Sequence, residues 1–267
     1  ATASVEECLA RLLSVTRTFD ERCRSPEVRS RLVQSVCRDL HPYLLRATTA
    51  HLCFSRPEGF AGGTGLHAHL AAHAPRGEGP LAVAVDAWLL SQPRAVGIRS
   101  RGERAAGILE DALSPSRGGP IRALLAHTAH TAIPSRLRSL LVGREGEITV
   151  VEPSREALAL QDTLLAGLGP ALRIRLVQDH LADVAAVGAL RAVQGQDLVV
   201  LQGLLDYLPA RSAAQTLQHL CSHLGPGGRL VATALAPAAD DALWRLLLDW
   251  PVVAREARSL VSLLEAT

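Results

Sequence analysis

Three histidines lie where a predicted strand passes into a loop, and their side chains could carry acid-base chemistry. His127 and His130 follow a predicted strand that ends near Ala126, and His180 follows a later one that ends at Asp179. Neutral imidazoles are the commonest general bases near neutral pH. We therefore take these three histidines as candidate catalytic residues. The other interpretation is that the rings face solvent or form local hydrogen bonds.

Two further sets of histidines give weaker signals. His67, His69 and His73 lie in a glycine-rich stretch, but no carboxylate or thiol in the sequence completes them as a zinc motif. We therefore predict no metal site. His219 and His223 are four residues apart in a predicted helix, and we expect them on its solvated face.

Residues at the carboxyl ends of the predicted strands are candidates for ligand binding. In parallel sheets ligands bind at this edge, and an acidic residue that ends the second strand is placed to accept hydrogen bonds from ribose hydroxyls. Glu152 fits this position, although "EPSREAL" is also typical of a helix start. The candidate cofactor-binding positions at these strand ends are Ala126, Thr128, Ala129, Glu152, Asp179, Gln202 and Gly203.

Other polar residues are predicted near the same edge. Asp206 and Tyr207 follow the fourth predicted strand and are candidate catalytic residues. In the alternative interpretation, Tyr207 packs in a helix that Asp206 caps. Arg99, Arg101 and Arg104 form a basic helical face that could bind a carboxylate, and we add Arg101 to the cofactor-binding candidates.

Composition excludes several classes of partner. The chain has 267 residues, 48% of them hydrophobic, a net charge of +2 and only 3% aromatic residues. It shows neither the basic stripe nor the stacking surface of a nucleic-acid-binding protein. No apolar run approaches the roughly 20 residues of a membrane span, and the N-terminal stretch does not resemble a leader. We expect a cytoplasmic protein that binds a small molecule.

Hydrophobic periodicity divides the chain into two parts. Residues 1–113 show helical spacing around a glycine-rich interval and predict a helical cap, and the linker-like "LSPSRGGP" follows. In residues 119–267 short apolar runs alternate with amphipathic segments. This alternation predicts an α/β domain with a doubly wound, mainly parallel sheet.

The predicted sheet is short. The helical segments after the fifth strand, the last of them "LVSLLEAT", run to Thr267, so we expect five strands with the fifth at an edge. Because exposed edges are usually paired or covered, we expect a homodimer or a cover formed by the C-terminal helix. A natural chain that continues further is the alternative.

The segment "DLVVLQGLLDYLPARSAAQTLQHLCSHLGPGGRLVATAL" resembles the fourth and fifth strands of class I S-adenosylmethionine-dependent methyltransferases. "GLLDYL" and "LLLDWPVVARE" are similar to the type that makes the 3-hydroxypalmitate methyl ester extracellular factor, and "RPEGFAGG" and "VGIRSRGERA" are similar to its helical cap. The resemblance covers roughly residues 55 to 260. It implies a Rossmann-like methyltransferase fold with S-adenosylmethionine as cofactor, and places Asp179 near the adenine ring.

The chain departs from the family pattern at the cofactor loop and in the cap. The family's loop glycines align with His127 and Ala129, and glycine is needed there because the cofactor lies almost on the backbone. In the cap, Phe60 replaces a tyrosine and Gly63 an aspartate, so a hydroxyl and a carboxylate are missing. These departures predict compromised cofactor binding.

Two functions follow from the resemblance and the departures. The first is methyl transfer to an oxygen of a small molecule, such as a lipid or a secondary metabolite, mainly through proximity and alignment. The second is a redeployed fold without methyl transfer, in which histidines carry out cyclisation, elimination or hydrolysis, or in which the protein binds a partner. Fold alone does not choose between them.

Overall fold

The computed structural model describes residues 4–60, 62–113, 119–128, 132–179, 190 and 193–265. The helices are α1 (Val5–Arg22), α2 (Pro26–Leu44), α3 (Thr48–Ser55), α4 (Thr64–Ala72), α5 (Pro80–Ser91), α6 (Pro93–Ala112), α7 (Ala132–Leu141), α8 (Arg155–Leu165), α9 (Ala210–Cys221), α10 (Asp241–Leu247) and α11 (Ala257–Glu265). The strands are β1 (Ile121–Ala126), β2 (Gly146–Glu152), β3 (Leu172–Gln178), β4 (Gln196–Gln202) and β5 (Leu224–Thr233).

The chain forms two compact units, whose boundaries differ from the predicted ones. Unit 1 contains residues 1–99 and 237–252, and unit 2 contains residues 100–236 and 253–267. The first boundary falls inside α6 rather than at the linker, because Ala105 and Leu109 of α6 pack into the core of the sheet. The sequence prediction had also assigned 237–252 to the sheet domain.

Unit 1 is helical, as the apolar spacing predicts. Ser4 caps α1, its hydroxyl accepting from Glu7 N while Glu7 accepts from Ser4 N. The predicted glycine-rich loop contains one short helix, α4. In this unit α10 packs against α1.

Two tryptophans are fully buried in unit 1. Trp244 and Trp250 are in edge-to-face contact, with ring centroids 5.3 Å apart. Arg94 lies over both rings and donates to Trp250 O at 2.9 Å. Asp240 accepts from Trp244 Nε1 at 2.6 Å and from Arg94 N at 3.0 Å. The segment after β5 is therefore part of this unit's core.

Unit 2 is built on a parallel sheet of five strands in the order β3-β2-β1-β4-β5. This confirms the predicted fold class, a doubly wound α/β sheet of five strands with the fifth at an edge. Because β1, β2 and β4 are buried on both faces, they read as continuous apolar runs rather than alternating ones.

The two faces of the sheet carry separate apolar clusters, with successive strand residues pointing to opposite sides. Ala123 and Leu125 of β1 lie in one cluster with α7, while Leu124 and Ala126 lie in the other with α9. Leu260 and Leu263 of α11 pack against this second cluster. None of the helices in the described ranges could cross a membrane.

Candidate functional site

The candidate site lies at the carboxyl ends of the strands in unit 2. The strand order reverses between β1 and β4, and in such sheets the crevice for a ligand opens at that point. The predicted strand ends agree closely with the structure: β1 ends at Ala126, β2 at Glu152 and β4 at Gln202, while Asp179 directly follows β3. Parallel pairing brings these ends to one edge.

His127 adopts a left-handed backbone conformation, with φ of 57°. Such a φ is uncommon for a residue with a Cβ and stores strain at this position. The backbone amide of His127 donates to Val151 O at 3.0 Å, which continues the pairing of β1 with β2 by one residue. The side chain is half-buried. His127 thus combines a backbone typical of glycine with an imidazole.

A closed hydrogen-bonded group, which we call the crevice cluster, consists of Thr128, Glu152 and Gln161. Gln161 Nε2 donates to Thr128 Oγ1 at 2.7 Å and to Glu152 Oε1 at 2.9 Å. Thr128 and Gln161 are 0% exposed and Glu152 is 3% exposed. Two residues that the sequence assigns to cofactor binding are therefore held by a third residue of the same chain.

Sequence reasoning missed Gln161, although its position gave a signal. Ala157, Gln161 and Leu165 are spaced by four residues and form the buried face of α8. A polar residue in such an apolar stripe needs a hydrogen-bond partner, because burying an unpaired amide is costly. In the structure the partners of the Gln161 amide are Thr128 and Glu152.

The alternative interpretation of Glu152 as a helix-start residue is wrong. Ser154 caps α8, and its Oγ accepts from Ala157 N at 3.1 Å. The carboxylate of Glu152 instead accepts a hydrogen bond from Gln161 within the crevice cluster.

Gln202 is the second buried amide at this edge. It ends β4 and is 4% exposed. Within the described part of the chain, Gln202 Oε1 and Gln161 Oε1 have no hydrogen-bond partner. Both are acceptors that a donor group of a ligand could satisfy.

Asp206, which follows β4, forms a buried ion pair with Arg101 of α6. Asp206 Oδ1 also accepts from Leu235 N at 2.7 Å. Gly203 lies against this pair, since a Cβ at Gly203 would come 2.7 Å from Arg101 Nη2. The carboxylate that the sequence marks as catalytic is therefore bound to protein groups, and it does not cap a helix.

The other predicted residues of unit 2 are more dispersed. Tyr207 is half-buried in the 3-10 turn Leu204–Tyr207 rather than in a regular helix. Asp179 is half-buried, and its backbone amide donates to Glu152 O at 3.0 Å. Ala126 is fully buried in the sheet. The predicted residues Ala129, His130 and His180 lie outside the described residues.

In unit 1, the Glu58 carboxylate lies beside Gly63, the position at which the sequence predicts that a carboxylate is missing. Its Oε1 accepts from Gly65 N at 2.8 Å, at the start of α4. A Cβ at Gly63 would lie 2.7 Å from the same oxygen, so the Glu58 carboxylate fills the space beside that glycine. Burial raises the pKa of Glu58, but hydrogen bonds from Gly65 and Thr64 outweigh it and the pKa is lowered. Phe60 is half-buried in the turn after α3.

The cap histidines are held locally. His69 Nε2 lies 2.8 Å from Asp86 Oδ2 in a buried pair, and Asp86 also accepts from Thr49 N and Arg76 N. His67 Nδ1 lies 3.3 Å from Gly63 O. Both rings therefore lie within hydrogen-bonding distance of other groups of unit 1.

No protein-family model matches the chain, and no match to it was found among curated proteins. Solved structures do match. A possible exported protein from Bordetella parapertussis is 19% identical, covers 91% of each chain and gives a TM-score of 0.53. A DUF574 family protein from Streptomyces avermitilis is 15% identical, covers 74% of this chain and 80% of its own, and gives 0.52.

A candidate O-methyltransferase from Nostoc punctiforme is 15% identical, covers 65% of this chain and gives a TM-score of 0.47. The chain spans about half of that protein, 51% of its length. At these identities the likeness concerns the fold, which is the Rossmann-like α/β fold.

Proposed function

We propose that this chain is a methyltransferase-like protein whose S-adenosylmethionine crevice is closed by its own side chains, and that it acts on or binds a small molecule without methyl transfer. The observation that carries this proposal is the crevice cluster. Gln161 Nε2 donates to Oε1 of Glu152, the residue at the ribose position, and to Oγ1 of Thr128 in the cofactor loop.

The energetic cost of reopening the cluster is substantial. A ribose hydroxyl that replaced the Gln161 amide at Glu152 Oε1 would leave a buried donor unsatisfied. Each such group costs about 1–3 kcal/mol, and about 1.4 kcal/mol is a factor of ten in affinity. The residues present therefore do not fit the cofactor in its usual position.

The loop conformation supports the same conclusion. His127 has a φ of 57°, a value that glycine adopts without strain, so its backbone is of the kind expected for the family's loop glycine, with an imidazole added. His127 is then the candidate acid-base group of the redeployed site, as neutral imidazoles are near neutral pH. His130 and His180 remain predicted catalytic residues of the same site.

Methyl transfer to a small-molecule oxygen is the second candidate. It is favoured by the position of Glu152 at the end of β2 and of Asp179 after β3, where a cofactor's ribose and adenine would be expected.

The experiment is a calorimetric titration with S-adenosylmethionine and S-adenosylhomocysteine. We expect no saturable binding by the unaltered chain, and binding after His127→Gly or Gln161→Ala, which open the loop and free Glu152. Thr163→Ala, an exposed change on the same helix, is the matched control. Micromolar binding by the unaltered chain that is weakened by Glu152→Ala would reject the proposal and establish the second candidate.

A further inference from the structure

The pair His219 and His223 lies at the amino-terminal edge of the sheet in unit 2, opposite the crevice. The prediction that both face solvent on a helix is wrong. The helix α9 ends at Cys221, so His223 lies beyond it, and this residue is only 2% exposed. His219 is half-buried in the last turn. Their Nε2 atoms are 3.2 Å apart.

Nδ1 of His223 has two neighbours: Val193 O, within hydrogen-bonding distance, and Gln194 Nε2 at 3.3 Å. A carbonyl oxygen only accepts, so the contact with Val193 O, which is the closer one, assigns the proton to Nδ1 and the lone pair of the neutral ring to Nε2, which faces His219. The backbone is fixed as well, since His223 O accepts from Gln196 N at 2.8 Å. A carbonyl that orients an imidazole in this way is the usual support of a metal-binding histidine.

The relative position of the two rings differs from that of a simple hydrogen bond. A linear hydrogen bond along both ring axes with this Nε2 separation would place the centroids about 5.5 Å apart. Two rings that share a metal ion with bonds of about 2.0–2.1 Å would place them about 4.9 Å apart, with an angle of about 100° at the ion. The centroids are 4.7 Å apart, and the ring planes lie at 87° to each other. The centroid separation is therefore closer to the value for two rings that share an ion than to the value for a linear hydrogen bond.

We propose that His219 and His223 bind a divalent late-transition metal ion of the zinc type through their Nε2 atoms. Within the described ranges no third histidine, cysteine, aspartate or glutamate completes a group around a metal. Water fills the remaining positions, so the site is an open, two-ligand one. Imidazole ligands suit zinc, nickel and copper and exclude magnesium and calcium, which prefer oxygen. The ion would join the last turn of α9 to the residue that precedes β5.

The test is a zinc chloride titration of the untagged full chain by calorimetry, together with the melting temperature with and without zinc. We expect one saturable equivalent and a higher melting temperature with zinc, both of which are lost in His219→Ala. His51→Ala, which removes an exposed histidine of unit 1, is the matched control and should bind zinc like the unaltered chain. Magnesium chloride should have no effect.

A spectroscopic readout covers the variant that could fail to fold. Copper(II) bound to the unaltered chain should show electron paramagnetic resonance couplings from two imidazole nitrogens, and copper bound to His219→Ala from one at most. His223→Gln tests the buried ligand. Absence of saturable zinc binding, or equal binding by His219→Ala and the unaltered chain, would show that the pair is only an internal hydrogen bond.

Discussion

Asp206 and Arg101 form an ion pair that is shielded from water, with side chains 1% and 10% exposed. The two residues are 105 positions apart in the sequence. Asp206 also holds two backbone segments, since its side chain accepts from Leu235 N and its carbonyl from Val253 N, each at 2.7 Å. The pair is thus a junction between α6, the end of β4 and the chain after β5.

Asp206→Asn is expected to destabilise unit 2 by about 3–5 kcal/mol, because it leaves the Arg101 guanidinium buried without a counter-charge. The free energy of unfolding in urea measures this loss. The control is Asp39→Asn, whose partner Arg38 is exposed, and a surface pair contributes at most about 1 kcal/mol. Equal losses in the two variants would mean that the Asp206 pair is solvated.

Unit 1 is expected to lose stability in acid through Asp86. Burial raises the pKa of this carboxyl, but hydrogen bonds from His69, Arg76 N and Thr49 N outweigh it and hold the pKa below its ordinary value. The stabilisation is therefore fully present above the unfolded pKa of about 3.9 and is lost as the pH falls through the lower folded pKa.

The measurement is the unfolding free energy of the unaltered chain and of Asp86→Asn from about pH 2 to about pH 7. The difference between them should be large at neutral pH and shrink below about pH 4. If the difference in unfolding free energy is the same at every pH, the ionisation of Asp86 does not contribute to stability.

Gly146→Ala is expected to cost more than about 4 kcal/mol or to prevent folding. Gly146 starts β2 opposite Ile121, with φ of 147°, and a Cβ would lie 1.9 Å from Ile121 O. A backbone oxygen within a strand pair cannot move away. Gly143→Ala is the control, because its φ is also positive, at 78°, but nothing lies within 4 Å. It should cost only about 1–2 kcal/mol, and similar costs at both glycines would refute the steric argument.

The sheet could be predicted from the sequence because its signal is local. Runs such as "IRALLA" and "QDLVVLQ" are apolar on both faces, and only a strand covered on two sides needs that pattern. The position of Glu152 followed from the same signal, since it ends one of these runs.

The partners of the site residues could not be predicted, because they depend on the path of the chain. Nothing local links Arg101 to Asp206 or Gln161 to Thr128. The error at His223 has a different cause, since a spacing of four residues indicates one helix face only while the helix continues. The chain leaves the helical path after Cys221 and turns His223 inward.

The composition of unit 1 has a consequence for biosynthesis. Its two fully buried tryptophans lie in residues 237–252, which a ribosome adds only after all five strands of unit 2 have been made. The N-terminal helices therefore emerge first but must wait for the rest of their core, with their apolar faces open to chaperones. In a growing chain, unit 1 completes its core only with residues 237–252, and unit 2 follows with residues 253–267.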